Sequence, residues 1–421
     1  MNLKLTVTKI GILKTYMVPI TVYYIIILIF GRSNSMMGAL SWLVAGIWFV
    51  LTIRNVNKTT NLPNMAFTTL LVVLLIFYLS TWDLIKYGMI SFVSSFCRYF
   101  SLFLPFYMFA YTISQNRDYM KKHIKQMLFI YTVLSVAQCV LYITADDSEY
   151  ARKIVGTDWG YFAFIADAYG LCQAAAFLAV AGVVCMYKKK KKALTIAFLI
   201  LNNIIIVLTK STLIILCYVA TMAFLIANFI FDHSFMGRIK KKYMRLIVKI
   251  ALCIIGFLIV LCLAEWLGYF FISMAAGKSG VVASRFRELG ALLTERNLSI
   301  DLTARFAAYT TSFQTALTHP LFGNYSAYSI GTYDIIGGHS EVIDMAARYG
   351  FPVTLAYFGL VYYFLKSEIK LMRIRIPGLI ILYSLFIIVN PFNYSIAYFA
   401  LFYMSPLMVY VNKNREESNV R

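Results

Sequence analysis

Apolar stretches near twenty residues long recur along this chain, from a first around residues 12–30 to a last around 396–412. A helix needs about 20 residues to cross the roughly 30 Å of hydrocarbon in a bilayer. Spanning strands would instead alternate in character over about ten residues, each separated by turns. The pattern here is continuous rather than alternating, so helices are expected. With 61% hydrophobic and 14% charged residues, the chain has too few charges to solvate a water-soluble domain of this length. The expected fold class is an all-α, polytopic integral membrane protein of about twelve transmembrane helices.

The spans are placed near 12–30, 36–53, 65–82, 91–113, 127–143, 163–187, 193–209, 211–231, 246–271, 340–365, 378–391 and 396–412. No cleavable signal peptide is expected, because the first apolar segment reads as a span itself. The formal charge of +21 sits in short loops between spans, which is an insertion signal and excludes a nucleic-acid reading. Every second loop is basic: Lys4, Lys9 and Lys14; Arg54 and Lys58; Arg117 to Lys125; Lys188 to Lys192; Arg238 to Lys249; Lys366 to Arg375; and the tail. By the positive-inside rule both termini are expected in the cytoplasm. The cysteines fall inside apolar spans, among them Cys139, Cys172, Cys185, Cys217, Cys253 and Cys262, with no CxxC pair, as buried free thiols do.

Two outward loops are longer than turns. One runs over Thr144–Phe162; the other, from about Ser273 to His339, is too long for a turn and too polar to span. Three parts follow: 1–271 with nine spans, an extracytoplasmic loop at 272–339, and 340–421 with three spans and a short tail. Within the large loop, SRFRELGALLTERN places Phe286, Leu289 and Leu293 at helical spacing, which predicts a helix lying on the outer membrane surface. A second amphipathic helix is expected from Asp301, as its N-cap, to Leu317 before the stop at His319-Pro320. So the loop contains amphipathic helices rather than a separate domain.

The ionisable groups collect at the end of that loop. In HSEVIDMAARY, beginning at His339, a helix from Ser340 puts Glu341, Asp344 and Arg348 on one face. Glu341 or Asp344 can then pair with Arg348, which would be costly to leave uncompensated at membrane depth. His339 follows Gly337-Gly338 and can take a proton near neutral pH. His319 reads more simply as the cap of a helix end. Arg285, Arg287, Arg296 and Arg305 on the loop, Lys210 in an outward turn and Arg98 in the fourth span are the remaining cations. Singly each is an anchor; convergent guanidinium groups would suit a diphosphate.

The stretch ARFAAYTTSFQTALTHPLFGNYS followed by GGHSEVIDMAARYGFPVTLAYF resembles the signature of the O-antigen polymerase and O-antigen ligase superfamily. That pattern has an arginine, an aromatic residue, a helix ending in Pro-x-x-Gly, and a histidine pair opening a glycine-containing span. Arg305, Tyr309, Pro320, Gly323, His339-Ser340 and Gly350 match it, with Pro352 near the position of a second glycine. LTKSTLIIL is similar to the family's Thr-x-Ser-Arg turn through Thr209 and Ser211, but Thr212 stands where the arginine is usual and Lys210 supplies a charge two residues earlier.

The resemblance implies a metal-independent glycosyltransferase on the outer face of the bacterial cytoplasmic membrane. It would polymerise undecaprenyl-diphosphate-linked oligosaccharide repeat units, taking one such lipid as donor and another as acceptor, with a chain-length regulator as a further possible partner. His339, Arg305 and Glu341 are its candidate catalytic residues. Arg305, Arg285, Arg287, Lys210 and Arg348 are candidate diphosphate ligands, and Asp344, Tyr309 and His319 support them. No metal, cofactor or nucleic acid is expected. A ligase that moves finished glycan to another acceptor uses the same chemistry. A transporter or lipid flippase, with Arg98, Arg348 and Glu341 along a substrate path, is the alternative of a different class.

Overall fold

The structure, a computed structural model, describes residues 18–28, 42–52, 65–113, 117–144, 168–186, 192–209, 211–230, 268–276, 300–324, 336–372, 377–389 and 394–417, with a few single positions between them. Among these residues all regular structure is helical. Two short apolar helices, α1 (Val18–Leu28) and α2 (Trp42–Thr52), precede the hairpin of α3 (Met65–Tyr87) and α4 (Met89–Ile113). Then come α5 (Arg117–Thr144), α6 (Ala168–Met186), α7 (Lys192–Leu208) and α8 (Thr212–Ile230). The C-terminal third holds α9 (Ile300–Thr318), α10 (Glu341–Tyr349), α11 (Phe351–Met372) and α12 (Pro377–Val389). The last helix, α13, covers residues 395–417 as Ser395–Phe399, a π turn Ala400–Met404, and Ser405–Glu417.

Helix α6 is the hub, and its sequence says why. It is apolar on every side, and a helix with no polar stripe has to be surrounded. Residues Leu171 to Ala181 are buried along its length, and it packs on α7, α8, α12 and α13. Ala174, Ala175, Ala176, Ala179 and Ala181 keep its surface low, which lets neighbouring backbones approach closely. Helix α4 changes character half-way. Met89, Ile90 and Val93 are exposed, whereas Ser101 to Thr112 are buried.

The periphery is as apolar as the core. Val50, Ile85, Ile90, Phe129 and Leu355 are all at least 70% exposed, and large apolar side chains left so open call for an apolar surrounding. By length and composition three helices can cross a membrane, over Phe67–Ile85, Met89–Ile113 and Tyr169–Met186, and several shorter apolar helices accompany them. The share buried separates their roles: 78% for the third against 39% and 33% for the first two. The chain is therefore a helical, membrane-associated protein with α6 inside and α3 and half of α4 on the rim.

One expected span is two helices. The segment 340–365 breaks at Gly350, where φ is 83°, leaving α10 and α11 separate. Nine residues make about 14 Å of helix at about 1.5 Å each, too short to cross. The amphipathic helix expected from Asp301 is present as α9 and starts at Ile300, so Asp301 lies in its first turn rather than capping it. Most of the expected span 246–271, and most of the surface helix expected over 284–297, lie outside the described residues.

Candidate active site at the junction of α9 and α10

Helix α9 ends at Thr318, just ahead of His319-Pro320, because the residue before a proline is driven out of helical geometry. The turn that follows is built into the far end of α10. Asn324 N donates to Ala347 O at 2.8 Å and Phe351 N donates to Pro320 O at 2.8 Å, so the turn satisfies one carbonyl that the end of α10 leaves open and the first amide of α11. Two glycines make the fit possible. A Cβ on Gly323 would lie 2.2 Å from the Arg348 carbonyl group, and one on Gly350 2.3 Å from Leu321 O. Both also have positive φ, 71° and 83°, where a side chain is strained. The Pro-x-x-Gly turn and the helix break are thus one structural joint.

The other end of α10 carries His339, and a buried hydrogen-bond network holds that loop. Ser312 on α9 donates from Oγ to Asp344 Oδ1 at 2.5 Å and accepts from Gly337 N at 2.8 Å. Asp344 also accepts from Gly338 N at 3.3 Å and, through Oδ2, from Ser340 N at 3.0 Å. Ser340 is the N-cap: its Oγ accepts from Ile343 N at 3.3 Å and donates to Ile387 O on α12 at 3.4 Å. The reciprocal Ser340–Asp344 exchange is a capping box stretched by one residue, and it places both acidic side chains in the first turn, where the helix dipole favours them. A Cβ on Gly337 would meet Ala308 O at 2.3 Å, so the loop lies directly on α9. The amides of residues 337, 338 and 340 are therefore each fixed, and His339 is presented between them.

The half-buried His339 ring faces Tyr309 edge-on, with centroids 6.5 Å apart at 79°. Tyr309 is itself oriented by donating from its hydroxyl to Val389 O at 3.0 Å. Residue 305 lies on α9 one turn before Tyr309; the Arg305 side chain is outside the described residues, as are Arg285 and Lys210. Arg287 is exposed and donates to Ala275 O at 3.2 Å. His319 is exposed, with Nδ1 2.9 Å from Thr318 Oγ1, and its carbonyl accepts from Gly323 N at 3.0 Å. That is the behaviour of a turn residue.

Pairing within α10 differs from the expectation. Among the described residues, neither Glu341 nor Asp344 lies within 4.0 Å of an Arg348 nitrogen; the ion pair formed is Lys121–Asp118 at 3.3 Å. Asp344 is drawn away by the three donors around it. Glu341 instead accepts at Oε2 from Phe392 N at 3.0 Å, an amide in the connection from α12 to α13. Burial pushes the Glu341 carboxyl above its ordinary value, with the charges of Arg348 and of Arg98 on α4 opposing the shift. Beside them the Tyr99 and Tyr349 hydroxyls lie 3.0 Å apart.

The structure brings together His339, Tyr309, Glu341, Asp344 and Arg348 from the expected set. It adds Ser312, Tyr99 and two backbone groups, Phe392 N and Ile387 O. Ser312 had one sequence signal, its position seven residues after Arg305 on the same helix row; the backbone groups had none. Among the described residues no three His, Cys, Asp or Glu side chains gather as a metal site would need. Chemically, the junction holds a half-buried imidazole, two carboxylates engaged by backbone amides, and the buried Nε of Arg348, which has no hydrogen-bond partner among the described residues. No protein-family model and no curated protein matches this chain.

Proposed function

We propose that the α9–α10 junction is the active site of a membrane glycosyltransferase of the O-antigen polymerase and ligase type. It joins oligosaccharide repeat units carried on undecaprenyl diphosphate. The observation that carries this reading is the clamp of Ser312 and Asp344 on residues 337, 338 and 340. It holds His339 on the helix that bears Arg305, in the order the family's motif requires. A catalytic base needs such fixed placement, since rates fall steeply with small displacements.

In the proposed reaction, a hydroxyl oxygen of the acceptor sugar attacks the anomeric carbon of the donor. Its proton passes to the His339 imidazole as the new glycosidic bond forms. The bond from that carbon to the diphosphate oxygen breaks, and the electron pair stays on the diphosphate. Arg305 and Arg348, with Arg285, Arg287 and Lys210 from the outer loops, offset the charge that develops there; no metal is required. Glu341 and Asp344 keep the helix and its loop in register. The site faces the outer surface of a bacterial cytoplasmic membrane, with both termini cytoplasmic, as the basic loops direct.

Replacing His339 by alanine tests the reading. The expected result is a glycan ladder reduced to a single repeat unit, with normal amounts of protein in the membrane and with wild-type transfer surviving EDTA. An unchanged ladder removes His339 from the chemistry. Long chains that are made but left unattached would assign the ligase reaction instead.

A further inference from the structure

One end of the α5–α7 pair carries a charge pattern that the transfer chemistry does not use. The start of α5 and the end of α6 both meet the last part of α13. The His123 and Tyr403 rings lie 6.0 Å apart, and Cys185 Sγ donates to Met408 O at 3.8 Å. Helix α7 returns antiparallel to α6, with Cys172 Sγ on Ile206 O at 3.9 Å and a Cβ on Gly182 only 2.9 Å from Leu199. The starts of α5 and α7 therefore share one end of the bundle. The two helices pack side by side, pinned where the Tyr131 hydroxyl donates to Asn202 Oδ1 at 2.7 Å. At about 1.5 Å per residue, Lys122 lies about 14 Å before Tyr131 and Lys192 about 15 Å before Asn202, which is one level.

Helical phase decides which way these positions face. On α5 the outward row is Phe129, Val133, Val136 and Val140; on α7 it is Ile196, Ile200, Ile204 and Val207, all exposed. Apolar rows of this kind face lipid, and each row ends in lysine. Lys125 and Lys122, both exposed, continue the α5 row one and two turns back. Lys192 opens α7 one turn before Ile196. The acid at this end of α5 is already engaged, since Asp118 pairs with Lys121 at 3.3 Å. Among the described residues neither Lys122 nor Lys125 has a carboxylate within 4.0 Å. Insertion topology asks for positive charge at a helix end, but not for its alignment with the lipid-facing rows of two adjacent helices.

We infer that Lys122, Lys125 and Lys192 form a docking surface for an anionic phospholipid. Its tails lie along the two apolar rows and its phosphate among the ammonium groups, which lysine stems carry to headgroup level. Charge complementarity selects the occupant, and the change from apolar to basic along each row marks where its headgroup begins. An acidic soluble protein would meet the ammonium groups but leave both rows bare. The inference does not depend on the glycan-transfer reading, which uses none of these lysines.

The test is native mass spectrometry of the full chain in mild detergent, titrated with cardiolipin and, as a control, phosphatidylcholine. Saturable cardiolipin adducts are expected, at least about tenfold tighter than those of phosphatidylcholine. The triple variant Lys122→Gln, Lys125→Gln, Lys192→Gln should weaken cardiolipin binding at least about tenfold. Arginine at the same three positions keeps the charge and should bind within about threefold of wild type. Lys366→Gln with Lys370→Gln removes two exposed lysines from α11 and should change binding by less than about twofold, because salt screens distant surface charge. If the glutamine triple does not reach the membrane, Lys122→Gln and Lys125→Gln singly take its place, each with an expected loss of about fivefold. Cardiolipin binding that stays within about twofold of wild type in these variants would overturn the inference. So would phosphatidylcholine binding equally well, or the α11 variant losing as much, since bulk charge or detergent-like adhesion would then explain the adducts.

Discussion

Asp344→Asn is the sharpest probe of how the His339 loop is held. The carboxylate is buried, 6% exposed, and accepts from three donors. Oδ1 takes Ser312 Oγ and Gly338 N, and Oδ2 takes Ser340 N. An asparagine keeps the shape but has one acceptor oxygen. With that oxygen on the Ser312 side, its NH2 faces the Ser340 amide, and one buried donor is left unsatisfied at about 1–3 kcal/mol. Ser312→Ala removes a partner of Asp344 and also leaves the Gly337 amide without its acceptor, at a similar cost. Because both changes break one network, the double variant should cost less than the sum by about 1–2 kcal/mol. Equilibrium unfolding in mixed micelles can measure this, read by the reactivity of the buried free thiols Cys139, Cys172, Cys185 and Cys217, none of which touches the junction's hydrogen bonds. Both single variants should lose the glycan ladder before they lose membrane expression. Strict additivity, within about 0.3 kcal/mol, would refute the idea that Ser312 and Asp344 act as one clamp.

Gly323→Ala should be more damaging than an average surface change. The new Cβ would meet Arg348 backbone at 2.2 Å and sit at a left-handed φ that costs about 1–2 kcal/mol by itself; protein yield and the unfolding midpoint should both fall, and wild-type values would mean the turn packs elsewhere. Tyr309→Phe removes the hydroxyl that donates to Val389 O, with an expected loss of about 1 kcal/mol in the same unfolding measurement and a shortened ladder from a less constrained His339. Arg305→Lys keeps the charge without the fork and should polymerise at least about tenfold more slowly; near-normal chain growth would reduce Arg305 to a surface anchor.

The helical framework was legible because apolar length and all-round apolarity are local properties. The stretch around Cys172 reads as a helix with no polar stripe, and it is the buried hub. The helix from 300 to 318 was visible from its spacing and its stop at His319-Pro320. The break at Gly350 was less visible, although a glycine with a proline two residues on is the usual mark of a helix end; the apolar residues on either side hid it. Asp344 shows the limit most clearly. On its own helix the obvious partner was Arg348, and only the packing of α9 reveals Ser312, 32 residues away, as the group that takes it. Glu341 is similar, because its partner is a backbone amide 51 residues downstream, which has no sequence signature.

The π turn at Ala400–Met404 has a consequence for how this chain tolerates change in length. A π turn holds one residue more than the α-helix it interrupts. Tyr398, before it, meets the Tyr357 hydroxyl at 2.9 Å; beyond it, Met408 O accepts from Cys185 Sγ at 3.8 Å. Four α-helical residues turn the chain by about 400°, and the wider π turn spreads five residues over about the same rotation, so deleting one residue from 400–404 would restore a regular helix with both flanks near their present phase. Tyr398 and Met408 would keep their partners on α11 and α6. The α-helical turns on either side have no such slack, and removing one residue there would rotate one flank by about 100° against the other. Across related chains, a single-residue deletion should therefore be accepted within this stretch and excluded from the turns that flank it.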